Sequence, residues 1–212
     1  LAASIVRGLG VRSDLPAPDA AAQSALNTLI QNPDTAAAAL LLAAKWDTSP
    51  ARATSLAAAA RRAHAVLADP SAPDARRAEN AAALLALPAE RAAALKKIGD
   101  LLADAKSSDA LRTPLLVTVG DLPPAESAGL LIDAYVRSRS GAVFEQLLKR
   151  PETALALLAA VKDGRVTLAS LGTTNIDRLR THPIRRVSNE AATVLAAAGT
   201  PSKEKQALID QL

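Results

Sequence analysis

The sequence predicts an all-α protein, and three of its features lead to this prediction. Alanine and leucine, which rank among the best helix formers, dominate a chain of 212 residues that is 50% hydrophobic. Aromatic residues are limited to Trp46, Tyr135 and Phe144, so side chains that favour strands are scarce. Prolines recur at intervals that suit helix starts, because proline is tolerated in the first turn of a helix and disrupts its interior.

Five prolines divide most of the chain into successive helical units. Helices are expected to begin at Pro50, Pro88, Pro123, Pro151 and Pro183. The intervals between them are roughly 30 to 40 residues, which is the length of one helical hairpin. The segment before residue 50 is less regular, and we expect it to be a cap or the end of a preceding unit.

Apolar residues recur at helical spacing after most of these starts, so each of these helices has one face to bury. The predicted faces comprise Ala78, Ala82 and Leu85; Ala94, Leu95, Ile98 and Leu102; Ala128, Leu131, Ile132 and Tyr135; Leu155, Leu158 and Val161; and Ile184, Val187, Ala191, Val194 and Leu195. The seams between packed helices are expected at Leu131, Leu158, Val187 and Leu195.

Two glycines mark predicted helix ends, because glycine suits the position after the last helical residue. One end is Asp163-Gly164, which follows the apolar stripe that ends at Val161. The other is Gly199, after which Thr200-Pro201 is expected to open a last helix that runs to Leu212.

Successive helix pairs that each bury a face against their neighbours are typical of α-solenoids of the HEAT or armadillo kind. We therefore predict an α-α superhelix, with N-terminal helices over residues 1–49 and HEAT-like repeats over residues 50–212. The two parts are expected to form one continuous solenoid domain over 1–212. An irregular helical bundle is the alternative arrangement.

The chain carries few residues that could perform chemistry. It has no cysteine, so it can form neither a disulfide nor a thiolate metal site, and its two histidines, His64 and His182, are far apart in sequence. His182 precedes a proline and is expected to cap or pack a turn, whereas His64 is expected on a helix, solvated or partly packed. We expect no catalytic, cofactor-binding or metal-binding site.

Other motifs that could suggest catalysis or phosphate binding have structural interpretations. Ser138, Ser140 and Ser170 have neither an adjacent histidine nor the glycines of a nucleophile elbow. The Gly8 to Gly10 segment lacks a preceding strand and a third glycine, and is interpreted as a helix end.

The excess of basic over acidic residues is the one feature of the sequence that suggests a binding partner. The net charge is +4 and the isoelectric point is about 9.7. Basic doublets that could bind a protein or an anionic partner are Arg61-Arg62, Arg76-Arg77, Lys96-Lys97 and Arg185-Arg186. Acidic residues alternate with the basic ones, and aromatic rings that could stack on bases are not interleaved, so nucleic-acid binding is disfavoured. No apolar run is long enough to cross a membrane.

One stretch, from Leu147 to Ala192, carries a series of short motifs. In order, they are Arg150-Pro151, Ala156-Leu157-Leu158, Asp163-Gly164-Arg165, Leu179 to Pro183, and Ile184-Arg185. This order resembles the helical repeat region of the large haem-binding, dehydrogenase-like proteins typical of Planctomycetes and Verrucomicrobia. The resemblance implies a β-propeller domain before the repeats and a c-type cytochrome domain after them. The chain itself has no Cys-x-x-Cys-His segment, so covalent haem attachment within it is excluded.

The expected function is therefore that of a non-catalytic scaffold or interaction domain within a larger exported protein. Its partners would be neighbouring domains of that protein or another protein, and any haem c would belong to a downstream domain. The resemblance implies a periplasmic or otherwise extracytoplasmic location, and a first residue of Leu1 is expected for a mature or excised piece. A free-standing HEAT-type adaptor for a protein or anionic partner is the alternative.

The solenoid prediction can be tested by small-angle X-ray scattering. A compact domain of this length should have a radius of gyration of roughly 17 Å, and stacked hairpins should give a larger value. A measured radius at or below that of the compact domain would favour the irregular bundle instead.

Overall fold

A computed structural model describes residues 2–12, 14–46, 53–104 and 106–199. These residues form twelve α-helices and no strand, so the predicted all-α class is confirmed. The helices are α1 (Ala2–Val11), α2 (Ala20–Gln31), α3 (Ala36–Trp46), α4 (Ala53–Ala68), α5 (Asp74–Ala86), α6 (Pro88–Ala103), α7 (Asp109–Gly120), α8 (Pro124–Ser138), α9 (Gly141–Leu148), α10 (Pro151–Lys162), α11 (Leu168–Arg180) and α12 (Arg185–Gly199).

The predicted helix starts agree with the structure wherever they fall on described residues. Pro88 and Pro151 are the first residues of α6 and α10, and Pro123 is the residue just before α8. Pro183 lies two positions before α12, which begins at Arg185. The start predicted at Pro50 lies outside the described residues.

The two predicted helix ends also agree with the structure. Gly164 follows α10 with a φ angle of 75°, a left-handed conformation that glycine adopts without a steric penalty. Gly199 is the last residue of α12. The last helix predicted, from Pro201 to Leu212, lies outside the described residues.

The chain divides into two compact units, Leu1–Leu115 and Leu116–Leu212. The division falls within α7, one residue after Pro114, which has no backbone N–H to continue the helical hydrogen bonding. The sequence-based division into N-terminal helices over 1–49 and repeats over 50–212, as one continuous solenoid domain, stays a prediction, and its boundary lies outside the described residues.

In the first unit, α3 is the central helix and contacts α1, α2, α4 and α5. Its alanine and leucine side chains are buried around most of its circumference, including Ala39, Leu40 and Ala43, none of which is exposed. Small side chains let the neighbouring helices approach closely on several sides. The unit continues with α5, which also contacts α4 and α6.

In the second unit, α10 holds the central position and contacts α8, α9 and α12, while α11 packs on α12. The two large aromatic side chains of this unit lie together, with the ring centroids of Tyr135 and Phe144 5.7 Å apart. The Tyr135 hydroxyl donates a hydrogen bond to the backbone oxygen of Ser170 over 3.1 Å. This bond satisfies the polar end of a side chain that is 1% exposed.

The two units share four helix contacts in the same order, although the α2–α4 and α3–α4 contacts of the first unit and the α8–α9 contact of the second have no counterpart. In the first unit, α1 contacts α3, and α3 contacts α5. In addition, α2 packs on α3, and α4 packs on α5. In the second unit, α8 contacts α10, and α10 contacts α12. In addition, α9 packs on α10, and α11 packs on α12. Thus α3 corresponds to α10, and α5 corresponds to α12.

A matching turn supports this correspondence. The segment Asn32-Pro33-Asp34-Thr35-Ala36 leads from α2 into α3, and the matching segment Arg150-Pro151-Glu152-Thr153-Ala154 consists of the N-cap and the first turn of α10. Thr35 Oγ1 donates to the Leu29 oxygen, and Thr153 Oγ1 donates to the Leu147 oxygen, each over 2.7 Å. Both threonines are buried, so each turn uses a hydroxyl to satisfy a carbonyl at the end of the preceding helix.

Most of the predicted apolar faces are buried. Leu131, Leu158 and Val187 have no exposed surface and Leu195 is 2% exposed, so all four predicted seam residues are confirmed as core residues. Ile184 is an error in the prediction, because its side chain is 46% exposed. It precedes α12 and therefore does not share the buried face of that helix.

The packing can be tested with Leu158→Ala in α10. Removing this fully buried side chain from the centre of the second unit should lower the free energy of unfolding by about 2 to 5 kcal/mol. Arg61→Ala, at an exposed position of α4, should change it by about 0.5 kcal/mol or less. Urea unfolding measures both, and small effects of equal size would show that Leu158 does not lie in a packed seam.

Candidate partner-binding surface

The first predicted basic doublet lies on α4, and its two members have different surroundings. Arg61 is exposed. Arg62 Nη2 donates to the backbone oxygen of Ile30 over 3.0 Å. Ile30 lies in the last turn of α2, where carbonyl groups have no partner within their own helix. Arg62 therefore caps the carboxyl end of a neighbouring helix, although both arginines of this doublet are exposed.

The second predicted doublet lies at the start of α5 and is also engaged within the protein. Arg76 Nη2 contacts the Pro33 oxygen at 3.0 Å and Asp34 Oδ1 at 3.3 Å, which ties α5 to the α2–α3 turn. Arg77 is only 7% exposed, and its Nε donates to the Leu67 oxygen in the last turn of α4. Arg77 thus lies in the interior of its unit and is not available on a surface.

Other basic side chains along the chain also donate to carbonyl groups at helix ends, and we call these contacts carboxyl-end caps. Each is a hydrogen bond from a basic side chain to a carbonyl at, or just beyond, the carboxyl end of another helix. Besides Arg62 and Arg77, the caps are Lys45 to Arg12 after α1, Arg91 to Leu85 of α5, Arg112 to Asp104 after α6, and Arg150 to Asp121 and Leu122 after α7. A positive charge is favourable there because the helix dipole places partial negative charge at this end.

His182 has a corresponding position in the second unit. Its Nδ1 accepts the backbone N–H of Ile184 at 3.2 Å, which requires that nitrogen to be unprotonated. Its Nε2 lies 3.5 Å from the Leu148 oxygen, at the end of α9. Because Leu148 corresponds to Ile30 in the matching turns, His182 occupies the place that Arg62 holds in the first unit. This arrangement agrees with the turn-packing role predicted for His182.

The histidines and serines are arranged for packing. His64 Nε2 lies 2.9 Å from Glu90 Oε2, and both side chains are half-buried between α4 and α6. Ser138 Oγ donates to the Ala134 oxygen of its own helix, and Ser170 forms a capping box with Thr167 at the start of α11. Within the described ranges, no group of three histidine, cysteine, aspartate or glutamate residues could hold a metal ion.

Haem, which the resemblance associates with a downstream domain, could not be attached covalently to this chain. The sequence has no cysteine for covalent attachment. Both ring nitrogens of His182 face backbone groups, and His64 faces a carboxylate.

An ion pair joins α9 to α11 near His182. Arg178 contacts Glu145 through two hydrogen bonds of 2.5 and 2.9 Å, and its guanidinium carbon lies 5.5 Å from the centre of the Phe144 ring. The hydrogen bond lowers the pKa of Glu145 below its ordinary value and raises the pKa of Arg178. Since Glu145 offsets the charge of Arg178, the shallow cleft that they share with Lys149 and His182 is not a simple cationic site.

Two apolar grooves lie at corresponding places in the two units. The α4 groove, of about 400 Å³, is lined by the end of α3, by α4 and by the α5–α6 turn, with Ala43, Leu56, Ala60 and Leu87 among its residues. The α12 groove, of about 460 Å³, is lined by the end of α10, the start of α11 and α12, with Val161, Leu168, Val194 and Ala198 among its residues. Both are surfaces on which a helix could pack.

Comparison of the chain with models of known protein families, with functionally characterised proteins and with solved structures gives no match. In the described part of the chain, no helix has the length and hydrophobicity required to cross a membrane.

The structural role of the carboxyl-end caps can be tested with Arg77→Met. This change retains much of the side-chain volume and leaves the buried Leu67 carbonyl without its partner, so the free energy of unfolding should fall by about 1 to 3 kcal/mol. Arg61→Met is the matched control on an exposed position and should change it by about 0.5 kcal/mol or less. Urea unfolding of both variants measures these changes. An unchanged free energy of unfolding in Arg77→Met would contradict a capping role for Arg77.

Proposed function

We propose that this chain is a non-catalytic helical-repeat scaffold of the HEAT or armadillo kind. The observation that carries the proposal is the repetition of one packing order and one Pro-acidic-Thr-Ala turn in both units. In repeat proteins each helix pair buries its apolar face against the next pair, and the resulting surface serves to bind or to space other protein domains. An α-α superhelix would follow from continued stacking of these pairs.

The placement of the polar side chains supports a non-catalytic role. Among the basic doublets that suggested a binding site, Arg62, Arg76 and Arg77 donate to backbone carbonyls of neighbouring helices or turns. The histidines and the serines singled out as possible nucleophiles serve at helix connections or within helices. A catalytic site would instead need nucleophile, base and substrate-binding groups that converge on one cleft.

The motifs that resemble the large haem-binding proteins have structural roles in this fold. Arg150 caps the end of α7, Gly164 ends α10 in a left-handed conformation, and His182 packs against the end of α9. Their order is therefore that of successive helix connections, which supports a likeness at the level of the repeat region. We extend the proposal to the parent architecture, in which the repeats space a dehydrogenase-like domain from a c-type cytochrome domain in an exported protein.

The alternative is a free-standing adaptor that binds a protein or an anionic partner. Of the basic doublets, Arg61, Arg62, Lys96, Arg185 and Arg186 are exposed, and these side chains favour an acidic surface among its possible partners. The burial of Arg77 and the contacts of Arg62 and Arg76 weaken the case for an extended phosphate-binding surface, since such a surface needs several cations that can face the ligand.

Reading the complete gene distinguishes the two forms of the proposal. The spacer form predicts an upstream export signal, and a Cys-x-x-Cys-His segment within a few tens of residues after Leu212, whose cysteines would attach haem. A start codon close to Leu1 together with a stop codon directly after Leu212 would contradict the spacer form and leave the adaptor.

A further inference from the structure

Two glycines in left-handed backbone conformations bracket residues 165–171, which we call the strap. Gly164 follows α10 with a φ angle of 75°, and Gly172 interrupts α11 with φ and ψ angles of 74° and 162°. Residues with a side chain rarely adopt such angles, whereas glycine does so at little cost. A methyl group added at either glycine would meet no atom within 4 Å, so neighbouring groups do not clamp these positions. The backbone can therefore turn at both ends of the strap.

The strap is held by contacts of its own and by buried side chains. Its exposed residues are Arg165, Thr167 and Ala169. Thr167 and Ser170 form a capping box, whose hydrogen bonds stay within the strap. Val166 and Leu171 are buried, and the Val166 N–H donates to the Ala160 oxygen of α10 over 3.1 Å. A short segment anchored in this way can open as a unit without unfolding the helices beside it.

An ion pair fastens the start of the strap to α8. Arg165 Nη2 donates to Asp133 Oδ1 over 2.8 Å, and both side chains are 54% exposed. Exposed pairs of this kind stabilise a structure weakly, because water and salt screen the charges. The ion pair therefore makes a small contribution to holding the strap closed.

A buried hydroxyl fastens the end of the strap to the same helix. Tyr135 of α8 is 1% exposed, and its hydroxyl donates to the Ser170 oxygen over 3.1 Å. The same hydroxyl oxygen accepts a hydrogen bond from Asn175 Nδ2 over 3.3 Å. Because Ser170 precedes Gly172 and Asn175 follows it, this one hydroxyl joins the two sides of the break in α11.

The strap also forms part of the wall of the α12 groove. Val166, Thr167 and Leu168 line this groove together with Val194 and Ala198 of α12. The helices α10 and α12 contact each other directly, without the strap between them. A movement of the strap about its two glycines would therefore change the width of the groove and leave the packing of α10 on α12 in place.

We propose that the strap is a hinged element that opens while the rest of the second unit stays folded, and that the Tyr135 hydroxyl is the latch that holds it closed. On opening, the backbone turns at Gly164 and Gly172, the hydrogen bond to the Ser170 oxygen breaks, and the strap moves away from α12. This movable wall is a property of the second unit itself, and it holds whether the scaffold spaces two domains or acts alone.

Amide hydrogen exchange of the full chain, followed by mass spectrometry, tests the latch. Peptides of the strap should exchange at least roughly tenfold faster than those of α10, because local opening exposes their amides without unfolding the unit. Tyr135→Phe keeps the ring and removes the hydroxyl, so it should raise strap exchange by a further factor of roughly five to ten. Ser138→Ala is the matched control, because it removes a hydroxyl of α8 that bonds to the Ala134 oxygen of its own helix.

A second pair of variants tests the hinge independently of the latch. Gly172→Ala places a side chain at a φ angle of 74°, which strains the closed strap, so strap exchange should rise at least roughly fivefold. Gly129→Ala is the matched control within α8, because an added methyl group there also meets no atom within 4 Å and its backbone is helical. It should leave strap exchange unchanged.

Three outcomes would overturn the proposal. One is strap exchange in Tyr135→Phe that equals that in Ser138→Ala, since the hydroxyl would then not hold the strap. Another is exchange that rises equally in the strap, α8 and α10 of Tyr135→Phe, which would assign the hydroxyl to the stability of the whole unit. The third is strap exchange in Gly172→Ala that equals that in Gly129→Ala, because the backbone would then not turn at Gly172.

Discussion

The fold depends on how the carbonyl groups at the carboxyl ends of its helices are satisfied. Each helix leaves up to four such groups without a partner of its own, and an unsatisfied group costs about 1 to 3 kcal/mol when it is buried. In α2, the carbonyl of Thr28 accepts a hydrogen bond from the backbone N–H of Asn32. The carbonyl of Leu29 accepts one from the Thr35 hydroxyl, and that of Ile30 accepts one from the Arg62 guanidinium. Two of these donors come from helices or turns further along the chain, so the caps also fix how the helices pack.

Alanine-rich packing makes these caps more important. Leucine and alanine faces bring helices together but specify their relative position weakly, because small, similar side chains fit one another in more than one register. A directed hydrogen bond from Arg77 to the end of α4, or from Arg150 to the end of α7, selects one position along the helix axis. Some of the basic side chains of this protein therefore have an internal, structural use.

Local features of the fold could be predicted from the sequence, whereas its long-range contacts could not. Prolines and glycines act through their own backbone, so Pro88, Pro151 and Gly164 marked the helix ends correctly. The role of Arg77 was missed because its partner belongs to a different helix, and exposed and capping arginines have the same sequence signature. The internal repeat had a readable signal in the Pro-acidic-Thr-Ala turns at Thr35 and Thr153, but only their equal hydrogen bonds show what the threonine does.

The exchange of arginine side-chain protons with water tests the central claim most directly. Arg77 and Arg91 donate to helix-end carbonyls through their Nε–H groups, whereas Arg61 is exposed. In ¹⁵N-edited NMR spectra, the Nε–H signals of Arg77 and Arg91 should exchange at least roughly tenfold more slowly than that of Arg61. Equal, fast exchange at all three positions would contradict the account, because it would place the capping side chains in solvent.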